Sequence, residues 1–289
     1  ETFFSGYQVV GTTGSGKTVG LRNICQQLMT EGNDNRSIII LDPLGQFSAD
    51  LLRFIASRRF CSDAVRERLV YLEPANTDYT TTLQPLLFHS RANRDYQCAR
   101  SLDLLLRGFE DTEVMMMPRL RRFLHQTVFD LSGLGMPLAI AKVLLNPTLP
   151  EHPRLLERLP ADSQAVWGDV MRFEGAKALD YLDSSRNRVA LFSDCILLQR
   201  LFSSPVNRFD IGQFMDEGRI VICNLMPGAK NVHWTVSDTY GALIVNEVFN
   251  HGITRINESG EPNDCFLVVD EFQRFIQGPD FYNFIPVIR

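Results

Sequence analysis

A glycine-rich segment near the start constrains the fold of this chain more than any other feature. It consists of Gly11, Thr12, Thr13, Gly14, Ser15, Gly16, Lys17 and Thr18. The segment satisfies the pattern G-x-x-x-x-G-K-[ST], follows a short apolar run from Tyr7 to Val10, and precedes apolar residues at helical spacing. The sequence therefore predicts a strand, a glycine loop and a helix, in that order.

The loop has the composition that binds phosphate. Glycines without a Cβ let backbone N–H groups turn inward, and the start of a helix adds partial positive charge, so triphosphate oxygens find several donors at short range. We expect Lys17 to reach the β- and γ-phosphates and the Thr18 hydroxyl to ligate Mg²⁺. A chance match in a turn rich in glycine and threonine is the alternative, which the flanking strand and helix patterns disfavour.

A second candidate motif is the apolar run Cys265 to Val269, which ends in the adjacent carboxylates Asp270 and Glu271. Buried strands seldom end in paired acids without a use for them. In a P-loop protein we expect Asp270 to hold the magnesium shell and Glu271 to polarise the attacking water. The alternative is an acidic strand end that only meets solvent. The adjacent glutamate favours a hydrolase over a kinase, and no N-K-x-D segment selects guanine, so ATP is the expected nucleotide.

Strand-like and helical patterns alternate at both ends of the chain. Ile38 to Leu41 and Leu69 to Leu72 are continuous apolar runs, typical of strands in a parallel sheet. Between residues 92 and 190 such runs are absent, and helical patterns interrupted by prolines dominate. We predict an α/β fold with a doubly wound, mainly parallel sheet and an inserted all-helical subdomain. The insertion, 92–190, separates two segments of the ATPase core, 1–91 and 191–289.

The α/β pattern resumes after the helical region. It predicts a short helix from Phe209 to Met215, a strand from Arg219 to Asn224 and a helix from Gly241 to Phe249. Two of the predicted strands end in the polar residues Asp42 and Asn224. Each of these residues either opens a turn or contacts the ligand at the carboxyl edge of the sheet.

The composition limits the compartment and the partners. No apolar run approaches the roughly 20 residues that span a bilayer, and the six cysteines form no C-x-x-C pair. We therefore expect a cytoplasmic protein without a membrane segment in this chain. The formal charge of −5 means that any nucleic-acid contact must be local, as in a groove or pore. Arg119, Arg121 and Arg122 either follow a phosphate backbone or form the solvated face of a helix.

These motifs together resemble those of the HerA and FtsK superfamily of hexameric DNA-pumping ATPases, particularly HerA helicases and the coupling ATPases of conjugative type IV secretion. The similar segments are VVGTTGSGKT, IIILDPLGQFSADLL, SSRNRVALFSD, FDIGQFMDEGRIVICNL and VVDEFQRF. The second segment departs from the family's Asp-Pro-His-Gly-Asp motif, with Leu44 in place of the histidine and Gln46 in place of the last aspartate. The resemblance covers most of residues 6–75 and 184–289.

This resemblance implies a RecA-like core in a homo-oligomeric ring, a hexamer, that uses ATP and Mg²⁺ to move DNA, most simply duplex DNA. It also implies that Arg289 acts in trans at the ATP site of a neighbouring subunit; an exposed terminal arginine is the alternative. A ring that serves a nuclease or a secretion-system protein, or a nucleotide-dependent assembly scaffold, remains open as a function. The chain lacks an initial methionine and stops within a helical pattern, so we expect a fragment whose missing segments leave membrane association open.

Overall fold

The computed structural model describes residues 9–12, 14–30, 35–76, 78–86, 94–107, 118–173, 176–206, 209–227, 234–256 and 263–275. The helices and strands, in chain order, are α1 (Lys17–Thr30), β1 (Ser37–Asp42), α2 (Gln46–Ala56), α3 (Asp63–Glu67), β2 (Leu69–Leu72), α4 (Arg94–Arg107), α5 (Pro118–Gly133), α6 (Ala141–Leu144), α7 (His152–Leu156), α8 (Ala161–Met171), α9 (Ala176–Asp194), α10 (Ile196–Phe202), α11 (Ile211–Asp216), β3 (Ile220–Asn224), α12 (Trp234–Ile256) and β4 (Cys265–Val269). The chain divides into two compact units, one formed by Glu1–Tyr79 with Asp210–Arg289 and the other by Thr80–Phe209.

The first unit is built on a four-stranded parallel sheet with the order β2-β3-β1-β4. All six residues of β1 are buried, as its continuous apolar run predicts for a strand with neighbours on both sides. Residues from α1 and α2 pack on the sheet and form one core with it. The main members of this core are Cys25, Met29, Ile38, Ile40, Phe47, Leu51, Ile55, Ile220 and Ile222. The predicted α/β fold with a parallel sheet is confirmed.

The register of the strands places three polar residues at one edge of the sheet. Asp42 pairs with Asn224 across β1 and β3, and Leu41 pairs with Val269 across β1 and β4. The Asp270 backbone N–H then donates to Leu41 O at 3.1 Å. Because the carboxyl ends of parallel strands meet at the same edge, Asp42, Asn224 and Asp270 lie there together.

The strand predicted from Tyr7 to Val10 is absent from the two of these residues that the structure describes. Tyr7 lies outside the described residues, whereas Val9 and Val10 are not in a strand and are 52% and 81% exposed. Strand β4 forms where the sequence predicts it but is only half-buried. Among the described residues it pairs on one side only, with β1, and an apolar run becomes fully buried only where neighbours cover it.

Two helices of the first unit differ from their predicted bounds. Helix α11 begins at Ile211 because the Asp210 side chain accepts a hydrogen bond from the Gln213 N–H at 3.0 Å and caps the helix. Helix α12 extends beyond the predicted Gly241–Phe249 at both ends. The apolar pattern marks only the buried part of a helix, and polar residues continue the backbone hydrogen bonds beyond it.

The second unit is helical and contains α4 to α10. In its core the Phe123 ring lies 5.7 Å from the Trp167 ring and 5.6 Å from the Tyr181 ring, between centroids. The buried carboxylate of Asp130 accepts hydrogen bonds from Ser163 Oγ at 2.6 Å and from Trp167 Nε1 at 2.7 Å. These bonds join α5 to α8, and they give the buried charge the donors that it needs.

The helical unit is longer than the predicted insertion at 92–190. The Leu83 N–H donates to Leu201 O at 2.9 Å, so the segment before residue 92 is fastened to α10. A single backbone bond between residues so far apart leaves no periodic pattern in the sequence. Across the described part of the chain, no helix combines the length and the hydropathy that crossing a bilayer requires.

Candidate active site

The glycine loop leads directly into α1, which begins at Lys17. Gly14 and Gly16 have φ values of +82° and +85°, in the left-handed region that favours glycine. A Cβ added at either position would meet no atom within 4 Å, so the loop leaves open space beside its backbone. Thr13 lies outside the described residues.

The Lys17 ammonium group folds back onto the loop. Its Nζ donates to Gly11 O at 2.6 Å and to Thr12 O at 3.0 Å. Phosphate oxygens are stronger acceptors than these neutral carbonyls because they are charged. The first N–H groups of α1 add donors, since a helix gives them no internal partner. The loop, Lys17 and the helix start therefore fit an incoming polyphosphate.

The structure brings the loop and the acidic strand end together. Thr18 Oγ1 donates to Asp270 Oδ2 at 3.3 Å, although the two residues lie at opposite ends of the sequence. Asp270 is 6% exposed, and its Oδ1 accepts the backbone N–H of Glu271 at 3.2 Å. A hydroxyl and a carboxylate are ligands that Mg²⁺ accepts beside substrate phosphates and water. The pair therefore fits a magnesium ion.

The surroundings of Asp270 disfavour its charged form. Burial raises the pKa of its carboxyl group, and the charges of Asp42 and Glu271 raise it further. Hydrogen bonds from the Glu271 N–H and from the Thr18 hydroxyl act in the opposite direction. A cation bound between Thr18 and Asp270 would offset the burial and the neighbouring charges. The electrostatics of the site therefore fit a cation beside the Asp270 carboxylate.

Glu271 has an unusual backbone conformation. Its φ of 50° and ψ of 45° are left-handed, and it is the sole non-glycine residue with positive φ in the described part of the chain. Such a conformation costs on the order of 1 kcal/mol or more and persists only where surrounding contacts enforce it. The Glu271 carboxylate accepts a hydrogen bond from Gln273 Nε2 and remains partly exposed. Strained backbone at a candidate water-activating residue is consistent with a functional constraint.

Asp42 holds the neighbouring turn. Its carboxylate is buried, and Oδ1 accepts the N–H groups of Leu44 at 3.0 Å and Gly45 at 2.9 Å. Its Oδ2 accepts the Ser48 N–H at 2.6 Å, at the start of α2. The carboxylate therefore stabilises the turn, as one of the two interpretations from sequence supposed. Its effect on the pKa of Asp270 was missed, although Asp-Pro at the end of a buried strand could have indicated it.

Asn224 also stabilises backbone rather than facing an open site. Its Nδ2 donates to the Tyr71 hydroxyl at 2.9 Å, and its Oδ1 accepts the Met226 N–H at 3.1 Å. These bonds fix the turn that follows β3. The turn-forming interpretation of Asn224 thus agrees with the geometry.

The remaining candidates belong to the helical unit or lie outside the described residues. Arg289 belongs to the second group and stays a prediction. Within the helical unit, the Arg119 guanidinium lies 4.3 Å from the centroid of the Tyr181 ring, and Arg122 pairs with Asp169 at 4.0 Å. This arrangement agrees with a solvated helix face. The described residues contain no group of three His, Cys, Asp or Glu side chains that could hold a metal ion.

Comparison with known protein families finds a match over the glycine loop and the residues that follow it. Residues 7–106 match the family model described as the central domain of helicase HerA, a stretch that contains the loop, α1, β1 and β2. This match supports a P-loop ATPase domain of the HerA/FtsK superfamily in this part of the chain. Domains of this superfamily use a nucleotide, typically with Mg²⁺, in agreement with the loop and the Thr18–Asp270 pair. No curated protein matches the sequence.

Proposed function

We propose that this HerA-type protein is one subunit of a homo-oligomeric ring, a hexamer, that hydrolyses ATP to move duplex DNA. The contact of Thr18 Oγ1 with Asp270 Oδ2 at 3.3 Å is the main observation in favour of ATP hydrolysis. It joins the phosphate-binding loop to the strand end that carries Glu271, so the parts needed for hydrolysis lie together. The family match over residues 7–106 supports the motor class.

The loop residues bind and orient the substrate. Backbone N–H groups between Gly11 and Thr18 surround the phosphates, and Lys17 exchanges the carbonyls of Gly11 and Thr12 for phosphate oxygens. Thr18 and Asp270 would hold Mg²⁺, which would neutralise charge on the bound phosphates. The side chains thereby fix the γ-phosphate for attack from one direction.

Glu271 activates the water. Its carboxylate orients the water and takes up its proton as the water oxygen bonds to the γ-phosphorus, while the bond to the ADP oxygen breaks. Gln273 contacts the same carboxylate and so limits where it can lie. A glutamate in this position favours a hydrolase, in which water is the nucleophile. A kinase would instead activate the hydroxyl of an acceptor.

The ring completes each site. Arg289 of one subunit stabilises the charge that develops on the γ-phosphate bound by its neighbour, which ties hydrolysis to assembly. DNA is held through its phosphates, so no base specificity is expected. With a net charge of −5, the chain must concentrate its basic contacts locally, as a pore does.

The test is steady-state ATP hydrolysis by the complete protein with and without long duplex DNA, at several salt concentrations. Lys17→Ala and Glu271→Gln serve as inactive controls. Phosphate-backbone binding weakens steeply with salt, so DNA should stimulate turnover most at low salt, and both variants should lose the stimulation. If DNA leaves the rate of ATP hydrolysis unchanged at every salt concentration, the proposal that the protein moves DNA is wrong. The function would then be a motor or scaffold for a nuclease or a secretion-system protein.

A further inference from the structure

The turn that carries Glu271 is fastened to helix α12 by an arginine that the hydrolysis scheme does not use. Arg274 contacts Asp238 Oδ1 through Nε at 3.0 Å and through Nη2 at 2.7 Å. The same guanidinium lies 4.0 Å from the centroid of the Trp234 ring. Trp234 and Asp238 both lie in the first turns of α12, one helical turn apart. The arginine is therefore held by charge on one side and by an aromatic face on the other.

A second contact brings α12 close to the same turn. Phe275 is 4% exposed, and a Cβ added at Gly241 would lie 2.4 Å from its ring. The same Cβ would lie 2.8 Å from Leu225 Cδ1. Gly241 thus permits an approach that any side chain would prevent. Helix α12 contacts the turn at two successive residues, Arg274 and Phe275.

Glu271 lies between two anchors. On one side the Asp270 N–H donates to Leu41 O at 3.1 Å, which fixes the start of the turn to β1. On the other side Arg274 is held by α12, and its own N–H donates to Glu271 O at 3.0 Å. A left-handed non-glycine residue persists only when its surroundings enforce it. The two anchors supply that enforcement.

We propose that Arg274 is a positioning residue for ATP hydrolysis, which places the Glu271 carboxylate by holding its turn against Asp238 and Trp234 of α12. This inference rests on the proposed role of Glu271 in hydrolysis. It gives α12 a function besides packing, because any displacement of its first turns moves the carboxylate that activates water.

The ion pair is better suited to positioning than to stability. The side chains of Arg274 and Asp238 are 22% and 36% exposed, and ion pairs that water reaches contribute little to the free energy of unfolding. A displacement of roughly 1 Å at a reacting group can reduce turnover on the order of 100-fold. Loss of the pair should therefore lower kcat far more than it lowers the unfolding midpoint.

The test measures kcat for ATP, the Kd of a fluorescent ATP analogue and the thermal unfolding midpoint on the complete protein. We expect Arg274→Ala and Asp238→Asn each to lower kcat roughly 10- to 100-fold with little change in Kd. Because both act through one contact, the double variant should lose no more than the worse single variant. Arg274→Lys keeps the charge and should recover part of kcat. If Arg274→Ala unfolds the chain, the kcat values of Arg274→Lys and Asp238→Asn test the positioning role instead.

The matched control is a second arginine–aspartate pair of the same unit, Arg66 with Asp63, at the start of α3. Asp63→Asn should leave kcat unchanged. Values of kcat for the Arg274 and Asp238 variants that equal this control would overturn the positioning role, and so would a loss of nucleotide binding that parallels the loss of kcat. Glu271→Gln in the same assay separates the two claims. If it leaves turnover intact, the proposed hydrolysis mechanism fails; if it abolishes turnover, only the result at Arg274 and Asp238 is at issue.

Discussion

At the scale of single residues, Asp42 illustrates how a polar side chain supports the site without entering it. Both of its oxygens accept backbone N–H groups, from Leu44, Gly45 and Ser48. Its charge nevertheless acts on Asp270. Burial is the largest cause of the raised pKa of Asp270, and the charge of Asp42 is the next. The residue thus links the geometry of one turn to the electrostatics of the next.

Asp42→Asn should destabilise the fold. The amide keeps one acceptor oxygen but presents N–H groups where Oδ2 accepts the Ser48 N–H at 2.6 Å. A buried donor left facing another donor costs about 1–3 kcal/mol, and this loss should appear as a lower midpoint in denaturant unfolding. Asp63→Asn on the exposed start of α3 is the control. Equal midpoints for the two variants would show that the Asp42 bonds do not hold the turn.

The residues that sequence reasoning located and those that it missed differ in their physical basis. The Thr18–Asp270 approach was predictable because a phosphate loop and a parallel strand end meet at one sheet edge. The left-handed backbone of Glu271 was not, since glutamate has no preference for that conformation. Arg274 with Asp238 was equally hidden, because no local pattern relates two residues on different elements.

At the scale of elements, a glycine in α12 lets the helix lie close to the turn that carries Glu271. Gly241 lies inside α12, where alanine would ordinarily favour the helix by about 1 kcal/mol. Here a Cβ would instead lie 2.4 Å from the buried Phe275 ring. The close approach therefore opposes the helix propensity at this position.

Gly241→Ala should lower stability by about 1–3 kcal/mol, because the ring must shift to admit the methyl group. It should also lower ATP turnover with nucleotide binding retained, since Phe275 adjoins the turn of Glu271. Gly252 on the same helix is the matched control, because a Cβ there would meet no atom within 4 Å. Gly252→Ala should leave stability unchanged or raise it, as unfolding and turnover of both variants would reveal. Identical effects at the two positions would contradict the packing argument.

The strands were more predictable than the helices. β1, β2, β3 and β4 each form an apolar run that ends at turn residues, and each lies within one residue of its predicted bounds. The start of α12 at Trp234 was not visible, since only its buried stretch has an apolar pattern. The exposed Val9 and Val10 show the converse, because an apolar run does not form a strand by itself.

At the scale of the whole molecule, stability should depend on pH through a buried acid. Part of Glu247 on α12 reaches the surface, but its carboxyl group is desolvated. Burial raises its pKa from 4.5 to about 8, and the charge of Asp210 contributes further. The folded state holds this proton more tightly than the unfolded chain does. Its contribution to stability is therefore present below about pH 4.5 and is lost as the pH rises through about 8.

Glu247→Gln removes this titration while keeping the size of the side chain. Relative to the natural protein, the variant should gain stability as the pH rises from about 5 to about 8, by up to about 1.4 kcal/mol per pH unit. Thermal unfolding across that pH window measures the difference. Glu67→Gln, at an exposed position of α3, should show no such trend. If the difference in stability between the Glu247 variant and the natural protein stays constant across this pH window, the raised pKa of Glu247 is wrong.

The division into an α/β unit and a helical unit also belongs to this scale. The change of pattern near residues 92 and 190 indicated the helical unit, but its bounds at Thr80 and Phe209 depend on contacts such as Leu83 with Leu201. Such contacts join segments with no shared periodicity. Ring assembly and the position of Arg289 stay predictions that the complete protein must test.

The most direct test of the central claim compares Glu271→Gln with the natural protein in ATP hydrolysis and ATP binding, in the presence of Mg²⁺. The substitution keeps the shape of the side chain and leaves Thr18 and Asp270, the proposed ligands of the ion, unchanged. We expect unchanged ATP affinity with kcat reduced roughly 100-fold or more, because the variant loses the general base. Unchanged turnover would show that Glu271 does not activate water, and the assignment of the acidic turn to hydrolysis would be wrong.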